Sequence, residues 1–110
     1  MIEVIVLNYL NSALRVPAYM EVPVDAPAEY VLLEKTGSSV ENCIETATIT
    51  VQSYANTLFQ AASLNEEVKE AMKDIVSLRE IMGVELNSDY NFTDATKKKY
   101  RYQAVFELIF

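Results

Sequence analysis

Residues 44–55 read IETATITVQSYA, and their side chains alternate between apolar and polar. Ala47, Ile49 and Val51 share one face of an extended chain. The opposite face carries polar side chains: Thr46, Thr48, Thr50 and Gln52. A strand with one apolar and one wet face is typical of an antiparallel sheet that is covered on one side. This segment therefore predicts the central feature of the fold.

Two extended segments precede this strand. Residues 18–22 (AYMEV) alternate as a short strand, and residues 30–35 (YVLLEK) read as a second one. Between them, PVDAP at residues 23–27 predicts a stiff loop, because its prolines fix the backbone. TGSS at residues 36–39 predicts a turn, in which Gly37 can adopt a positive φ.

The longest helix is predicted directly after the strand, over residues 57–79. Its apolar stripe has helical spacing: Ala61, Leu64, Val68, Ala71, Met72, Ile75 and Leu78. Glu66 and Lys69 form an i,i+3 pair on its wet face. Ser63 and Glu66 also match a capping box, so a second helix that starts at Ser63 is the alternative.

The remaining elements complete an α+β pattern. Apolar residues recur with helical spacing over residues 2–14, and Pro17 requires that helix to end. VELN at residues 84–87 predicts a strand, SDYNFTDATKK at residues 88–98 a loop, and residues 99–110 the final strand.

The predicted order is α-β-β-β-α-β-β. A chain of 110 residues is long enough for one core, so we expect one domain over residues 1–110. We expect an α+β fold with a mostly antiparallel sheet of four to five strands and two helices packed on one face.

The chain lacks the side chains on which most catalytic sites depend. It has no histidine, no tryptophan, two glycines and one cysteine. A Cys–His pair cannot form, and two glycines cannot supply a phosphate-binding loop. Asp89 and Asp94 flank the predicted loop and are interpreted as solvated acids. Cys43 is interpreted as a small filler at a strand edge, with a reactive thiol as the alternative. We therefore expect no enzymatic activity, no cofactor and no bound metal.

Charge and hydropathy indicate which partners to expect. The net charge is −7, and without Lys97, Lys98, Lys99 and Arg101 the rest carries five basic and sixteen acidic residues, or −11. Such a body repels phosphate backbones, so no specific nucleic-acid binding is expected. No apolar run approaches the ~18 residues of a membrane span, so no membrane partner is expected. The apolar N-terminal stretch has no basic residue before it, which argues against a signal peptide.

The final strand has one continuous apolar face: Tyr100, Tyr102, Ala104, Phe106, Leu108 and Phe110. Aromatic residues interleaved with basic ones can stack nucleic-acid bases, but strict period-two spacing favours sheet packing. Residues 97–99 then form either a solvated loop or one side of an interface with the acidic surface of another copy.

Several of these segments together resemble a known family. YVLLEKTGSS, TATITVQSYA and AASLNEEVKEAM occur in order, followed by SDYNFTD and RYQAVFEL. This succession is similar to the small tail-terminator (tail-completion, head–tail joining) proteins of long-tailed bacteriophages and prophages. The likeness covers residues 16–110. Where the family motif has Gly-Pro before Tyr-Asn and Pro after Phe, this chain has Ser88-Asp89 and Thr93, so we expect a looser loop.

The resemblance implies a structural virion protein of the tail or neck that is made in the host cytoplasm. Such a protein caps the tail tube, ends tail polymerisation and joins tail to head as a homomeric, usually hexameric, ring. Its partners would be other copies of itself, the tail-tube protein and a head-completion or connector protein. The alternative is a small α+β module of non-viral function that binds a ligand or a protein, which a deep apolar pocket would favour.

We expect ring contacts in two polar segments, residues 36–43 and 87–99, extended by the start of the final strand. The candidate interface residues are Thr36, Gly37, Ser38, Ser39, Glu41, Asp89, Tyr90, Asn91, Phe92, Asp94, Lys97, Lys98, Lys99 and Arg101. Residues 97–99 give one side a positive field. Glu41, Glu45 and residues 66–70 offer the opposite sign.

Overall fold

A computed structural model describes residues 1–94, 96 and 99–110 of the chain. The elements, in chain order, are α1 (Ile2–Ala13), β1 (Ala18–Tyr19), β2 (Tyr30–Glu41), β3 (Ile44–Ala55), α2 (Leu58–Lys73), a 3₁₀ helix (Asp74–Ser77), β4 (Gly83–Asn91) and β5 (Tyr100–Ile109). This order and the α+β class confirm the prediction from the sequence.

The strands form one five-stranded sheet in the order β1-β2-β3-β5-β4. The short β1 pairs with β2 in parallel, and all other pairs are antiparallel. Since β3 and β4 are both antiparallel to β5, they run in the same direction, and α2 connects them across the intervening strand. β4 is therefore an edge strand whose outer side pairs with no other described strand.

Both helices pack on one face of this sheet. Ala47, Ile49 and Val51 of β3 belong to a single core cluster with apolar residues from α1, α2 and β5. Phe106 of β5 pairs with Ile49 and is 2% exposed. Truncating a buried Phe of this kind to Ala costs about 3–5 kcal/mol. Neither of the two described α-helices packs on the opposite face, which carries the threonines of β3, as the alternation predicts.

The long helix is continuous through Ser63, so the alternative second helix is wrong. α2 begins after Thr57, whose hydroxyl accepts a hydrogen bond from the backbone N–H of Gln60 at 3.1 Å. Such an N-cap satisfies one of the unpaired N–H groups at a helix start. The predicted Glu66–Lys69 pair forms, at 2.8 Å. Among the described helices, none is long and apolar enough to cross a membrane.

The predicted turn at residues 36–39 is wrong, because β2 continues to Glu41. The chain reverses instead at Asn42 and Cys43, which have φ of 51° and 64°. A two-residue hairpin turn requires positive φ, which Asn tolerates better than most residues. Gly37 does not adopt positive φ, and it instead follows a bulge at Thr36.

Two other strand limits differ from the prediction. β1 contains only Ala18 and Tyr19 rather than residues 18–22. β4 extends to Asn91, so residues 88–91 are strand rather than loop. Pairing with β5 decides this second difference, because Tyr90 and Asn91 face Gln103 and Tyr102 across the ladder. A polar sequence can be extended when a neighbouring strand satisfies its backbone groups.

Arg15 ties the two helices to the start of the sheet. Its guanidinium donates to the carboxylates of Glu29, which precedes β2, and of Glu67 on α2, at distances of 3.0–3.2 Å. The Arg15 hydrogen bonds hold the pKa of Glu29 below its ordinary value, and both carboxylates raise the pKa of Arg15. Bidentate geometry of this kind is the favourable form of an exposed ion pair.

Candidate functional site

The first predicted interface segment lies in the outer half of β2. Thr36, Ser38, Ser39 and Glu41 are exposed there, and Gly37 is half-buried. β1 pairs only with Val31 and Leu32, so residues 34–41 present an outer edge that no described strand covers. These residues therefore form a projecting strand rather than the loop that was expected.

This strand ends in a feature that we call the hairpin tip, residues 40–45. It combines acidic and apolar side chains: Val40 and Ile44 are 68% and 46% exposed, and Glu41 and Glu45 are exposed. Cys43 is an exposed free thiol within the turn. Its interpretation as a filler at a strand edge is therefore wrong, because the residue is exposed and lies in the turn.

The second predicted segment lies at the end of β4 and in the connection to β5. The Asn91 side chain accepts hydrogen bonds from the N–H and hydroxyl of Thr93 at 3.0 and 2.6 Å. The Thr93 hydroxyl in turn accepts from the N–H of Arg101 at 3.2 Å. This start of the connection is therefore held by hydrogen bonds, in contrast to the looser loop expected. Lys97 and Lys98 lie outside the described residues.

The two segments occupy opposite ends of the sheet. The hairpin tip closes one end, where Glu41 pairs with Ile44. At the other end, Ala55 pairs with Tyr100, the first residue of β5. At the ordinary strand rise, β3 spans about 36 Å between these ends. β2 and β4 also lie on opposite sides of β3 and β5, so the two segments occupy diagonally opposite corners of the sheet.

Along this second end of the sheet, aromatic rings and cations form an ordered cluster. We define the basic aromatic cluster as Tyr30, Tyr54, Phe92, Lys99 and Arg101. Tyr30 and Tyr54 stack with centroids 4.7 Å apart and an interplanar angle of 8°. Lys99 Nζ lies 5.4 Å from the Tyr30 centroid, and Arg101 Cζ lies 5.8 and 4.5 Å from the Tyr54 and Phe92 centroids. These distances are within the range of cation–π attraction.

Hydrogen bonds fix the position of Arg101 in this cluster. Its Nε donates to the backbone oxygen of Phe92 at 2.6 Å, and its Nη1 donates to the Tyr54 hydroxyl at 3.0 Å. Lys99 donates to the backbone oxygen of Pro27 at 3.4 Å. The two cations are therefore held against the rings, so Lys99, the described residue of the predicted 97–99 segment, is not a freely solvated lysine.

The hydrogen bonds continue from Arg101 across three strands of the open face. The Tyr54 hydroxyl donates to Gln52 at 3.0 Å, Gln52 donates to Gln103 at 2.8 Å, and Gln103 donates to the Tyr90 hydroxyl at 2.6 Å. Each side chain in this series restrains the next one, so this part of the sheet has a rigid polar surface.

Burial at the cluster changes the titration of one tyrosine. Desolvation raises the pKa of Tyr30, the neighbouring Tyr54 raises it further, and the positive charge of Arg101 acts in the opposite direction. Tyr30 is 4% exposed, so its ring is a packed component of the cluster. The phenol is therefore neutral at physiological pH.

A groove of about 280 Å³ opens beside the cluster. The residues that line it are Val22, Ala26, Tyr30, Tyr54, Asp94, Lys99 and Arg101. Apolar side chains from the loop between β1 and β2 form one wall, and the stacked tyrosines and both cations form the other. The groove can accept apolar side chains and an anionic group together.

One predicted interface residue has a role within the domain. Asp89 lies on the helix-covered side of β4, and its carboxylate accepts hydrogen bonds from Asn65 and Lys69, both at 2.9 Å. The carboxylate of Glu66 and, after it, that of Asp89 raise the pKa of Lys69. Asp89 is thus an anchor between α2 and the edge strand rather than the solvated acid that was expected.

Sequence reasoning missed the two tyrosines at the centre of the cluster. Tyr54 continues the polar face of residues 44–55, and Tyr30 opens the preceding strand. An aromatic residue at the end of a strand, on its polar face, is a sequence signal that could have indicated this surface cluster. Their stacking depends on the pairing of Tyr30 with Tyr54. The bulge at Thr36 shifts the register of β2 against β3 by one residue and so decides which residues form this pair.

Comparisons with known proteins do not assign a family. No protein-family model matches the sequence, and the search of curated proteins gave no significant match. Within the described residues, no group of three or more His, Cys, Asp or Glu side chains is placed to hold a metal ion. The interaction surfaces described above are therefore the basis for the functional argument.

Proposed function

We propose that the protein is a bacteriophage tail terminator. It acts as a homomeric ring, of six copies by analogy with the family it resembles, that caps the tail tube, stops tail polymerisation and joins tail to head. The proposal includes no catalytic step and no cofactor. It places the protein in the tail or neck of the virion, after synthesis in the host cytoplasm.

One structural observation carries the proposal. The acidic hairpin tip and the basic aromatic cluster lie at opposite ends of one sheet. Surfaces that differ in sign and lie at opposite ends of a subunit favour contacts between copies over contacts within one copy. A head-to-tail contact closes into a ring when its rotation is a whole fraction of a turn.

The charge of the rest of the chain supports a channel through which DNA passes. No basic residue occurs between Lys35 and Lys69, and both of these lysines are in ion pairs, with Glu3 at 3.6 Å and with Asp89 at 2.9 Å. An acidic lumen repels the phosphate backbone and lets DNA move without binding. We expect no measurable affinity for duplex DNA at physiological salt.

The decisive experiment is to change the basic segment in the phage that encodes the protein. Lys97, Lys98 and Lys99 are replaced by Glu together, and particles are counted and measured by negative-stain electron microscopy. We expect folded protein but tails of irregular length or tails without heads. The matched control reverses Arg79, which lies between the 3₁₀ helix and β4, to Glu. Uniform tails joined to heads in the triple variant contradict the proposal.

A second measurement separates this function from a ligand-binding module. Rings with a central channel, seen on the tail tip or in concentrated protein, favour the terminator. A stable monomer that takes up a small molecule in the groove beside Tyr30 and Tyr54 favours the module. Tail-tube and tape-measure genes next to the encoding gene would also support the terminator.

A further inference from the structure

We propose that the groove beside the basic aromatic cluster is the seat for the hairpin tip of a neighbouring copy. The inference rests on the proposed function, because it names the contact through which the ring closes. The two surfaces are complementary in charge, in polarity and in position, and each property has separate support in the structure.

The charges are complementary. Lys99 and Arg101 lie on the groove wall, whereas Glu41 and Glu45 are exposed at the tip. Four other cations of the chain already have carboxylate partners: Arg15, Lys35, Lys69 and Lys73. The groove is therefore the described site at which an incoming carboxylate meets two cations, and Asp94 at its rim disfavours an occupant of unbroken negative charge.

The apolar surfaces are complementary as well. At the tip, Val40 precedes Glu41 and Ile44 precedes Glu45, so each exposed aliphatic side chain is next to a glutamate. The loop beside the groove exposes Val22 and Val24. Tyr54 lines the groove together with the largely buried Tyr30, on which it stacks. Burying these aliphatic side chains together removes apolar surface from water on both copies, which favours association.

The groove has a suitable size for the hairpin tip, and both the groove and the tip are rigid. A volume of about 280 Å³ lies just below the ~300–1,000 Å³ typical of ligand pockets, so the groove suits a few side chains of a protein. Arg101 is held by Phe92 and Tyr54, and the tip is a tight two-residue turn. Parts that are already ordered lose little freedom on binding.

The contact cannot form within one chain. The tip and the groove lie at opposite ends of β3, about 36 Å apart at the ordinary strand rise. Each copy therefore donates one tip and accepts one tip. The only cysteine, Cys43, lies in the tip, which provides a direct chemical test in the full-length protein.

The test introduces a second thiol in the groove with the variant A26C. Purified protein is treated with diamide and run on a non-reducing gel. We expect covalent dimers, trimers and larger species, formed at least about tenfold faster than in the control A13C. A seated tip raises the effective thiol concentration to the order of mM. Ala13, like Ala26, is an exposed alanine, and it lies at the end of α1. A13C is therefore a matched control for A26C.

Two further measurements make the result specific. Mass spectrometry of the crosslinked bands should identify a disulfide between Cys43 and the thiol introduced by A26C. In A26C/C43S, species larger than dimers should disappear. Equal crosslinking in A26C and A13C, or disulfides that join only identical positions, would overturn the inference.

The outcomes separate the contact from the proposed function. Rings on tails in a protein that gives no groove-to-tip disulfide would remove this contact and leave the terminator function in place. Groove-to-tip disulfides combined with normal tails in the lysine-to-glutamate variant would establish the contact and remove the function.

Discussion

The two ends of the sheet are made from the same strands, yet they hold their side chains in different ways. At one end Tyr30 and Tyr54 stack, and Lys99 and Arg101 lie against the rings. At the other end β2 and β3 continue as a bare hairpin, and Val40 there is 68% exposed. The first end is held by ring contacts and side-chain hydrogen bonds, whereas the side chains of the hairpin tip are exposed.

This difference has a general consequence. Side chains that contribute to both the fold and a contact surface cannot be altered without a loss of stability. Side chains that project from a hairpin can be altered with little such loss. Variants at the tip should therefore report on assembly alone, and variants at the cluster should report on folding and assembly together.

Among the variants that compare the two ends of the sheet, Tyr54→Ala is expected to have the largest effect on stability. This variant loses the stack on Tyr30 and hydrogen bonds to Arg101 and Gln52, which together contribute about 2–3 kcal/mol to the free energy of unfolding. Urea denaturation measures this change. The matched variant Val40→Thr at the tip should change the free energy of unfolding by no more than about 0.5 kcal/mol. Similar losses at both positions would show that the two ends do not differ as described.

The next effect concerns association between copies. Lys99→Glu places a negative charge opposite Glu41 of the neighbouring copy. The repulsion should weaken self-association about tenfold, or about 1.4 kcal/mol. The double variant Lys99→Glu with Glu41→Lys restores an attractive pair and should recover most of the loss. Sedimentation at several protein concentrations measures both, and circular dichroism checks folding. Failure of the second change to restore association would mean that these two residues do not meet.

A smaller effect is expected where α2 begins, at the same end as the cluster. Thr57→Ala removes the side-chain cap on the Gln60 N–H and should cost about 1 kcal/mol of stability. Thr57→Ser keeps the hydroxyl and should preserve most of it. By contrast, α1 begins after Met1 with no side-chain cap, so substitution of Met1 removes no such bond. Thermal unfolding of both Thr57 variants tests this, and equal loss in the two would exclude capping as the cause.

The smallest effect depends on pH. Since Arg15 lowers the pKa of Glu29 from its ordinary value of 4.5, the pair stabilises the fold above that pH. This stabilisation is lost as the pH falls through the lower pKa of the folded state. Arg15 is half exposed, so the contribution is a few tenths of a kcal/mol. Glu29→Gln should narrow the difference in unfolding free energy between pH 7 and pH 3, and an unchanged difference would contradict this linkage.

Much of the fold could be predicted because its signals are local. The alternation at residues 44–55 and the stripe from Ala61 to Ile75 identified the central strand and the long helix with the correct buried faces. The turn was misplaced because Gly37 is a strong local signal, whereas the Asn42-Cys43 reversal depends on which residues pair across the hairpin. Asp89 was misassigned because its partners, Asn65 and Lys69, are distant in sequence.

The sequence by itself determined the order of elements, the apolar face of each one and the concentration of cations near Arg101. Those properties follow from period, propensity and composition, which act over a few neighbouring residues. Only the tertiary structure decided that Tyr30 and Tyr54 stack, that Arg101 is fixed between Tyr54 and Phe92, and that the acidic tip lies at the far end of the sheet. These facts depend on strand register and sheet order, which are set by contacts between distant segments once the core has formed.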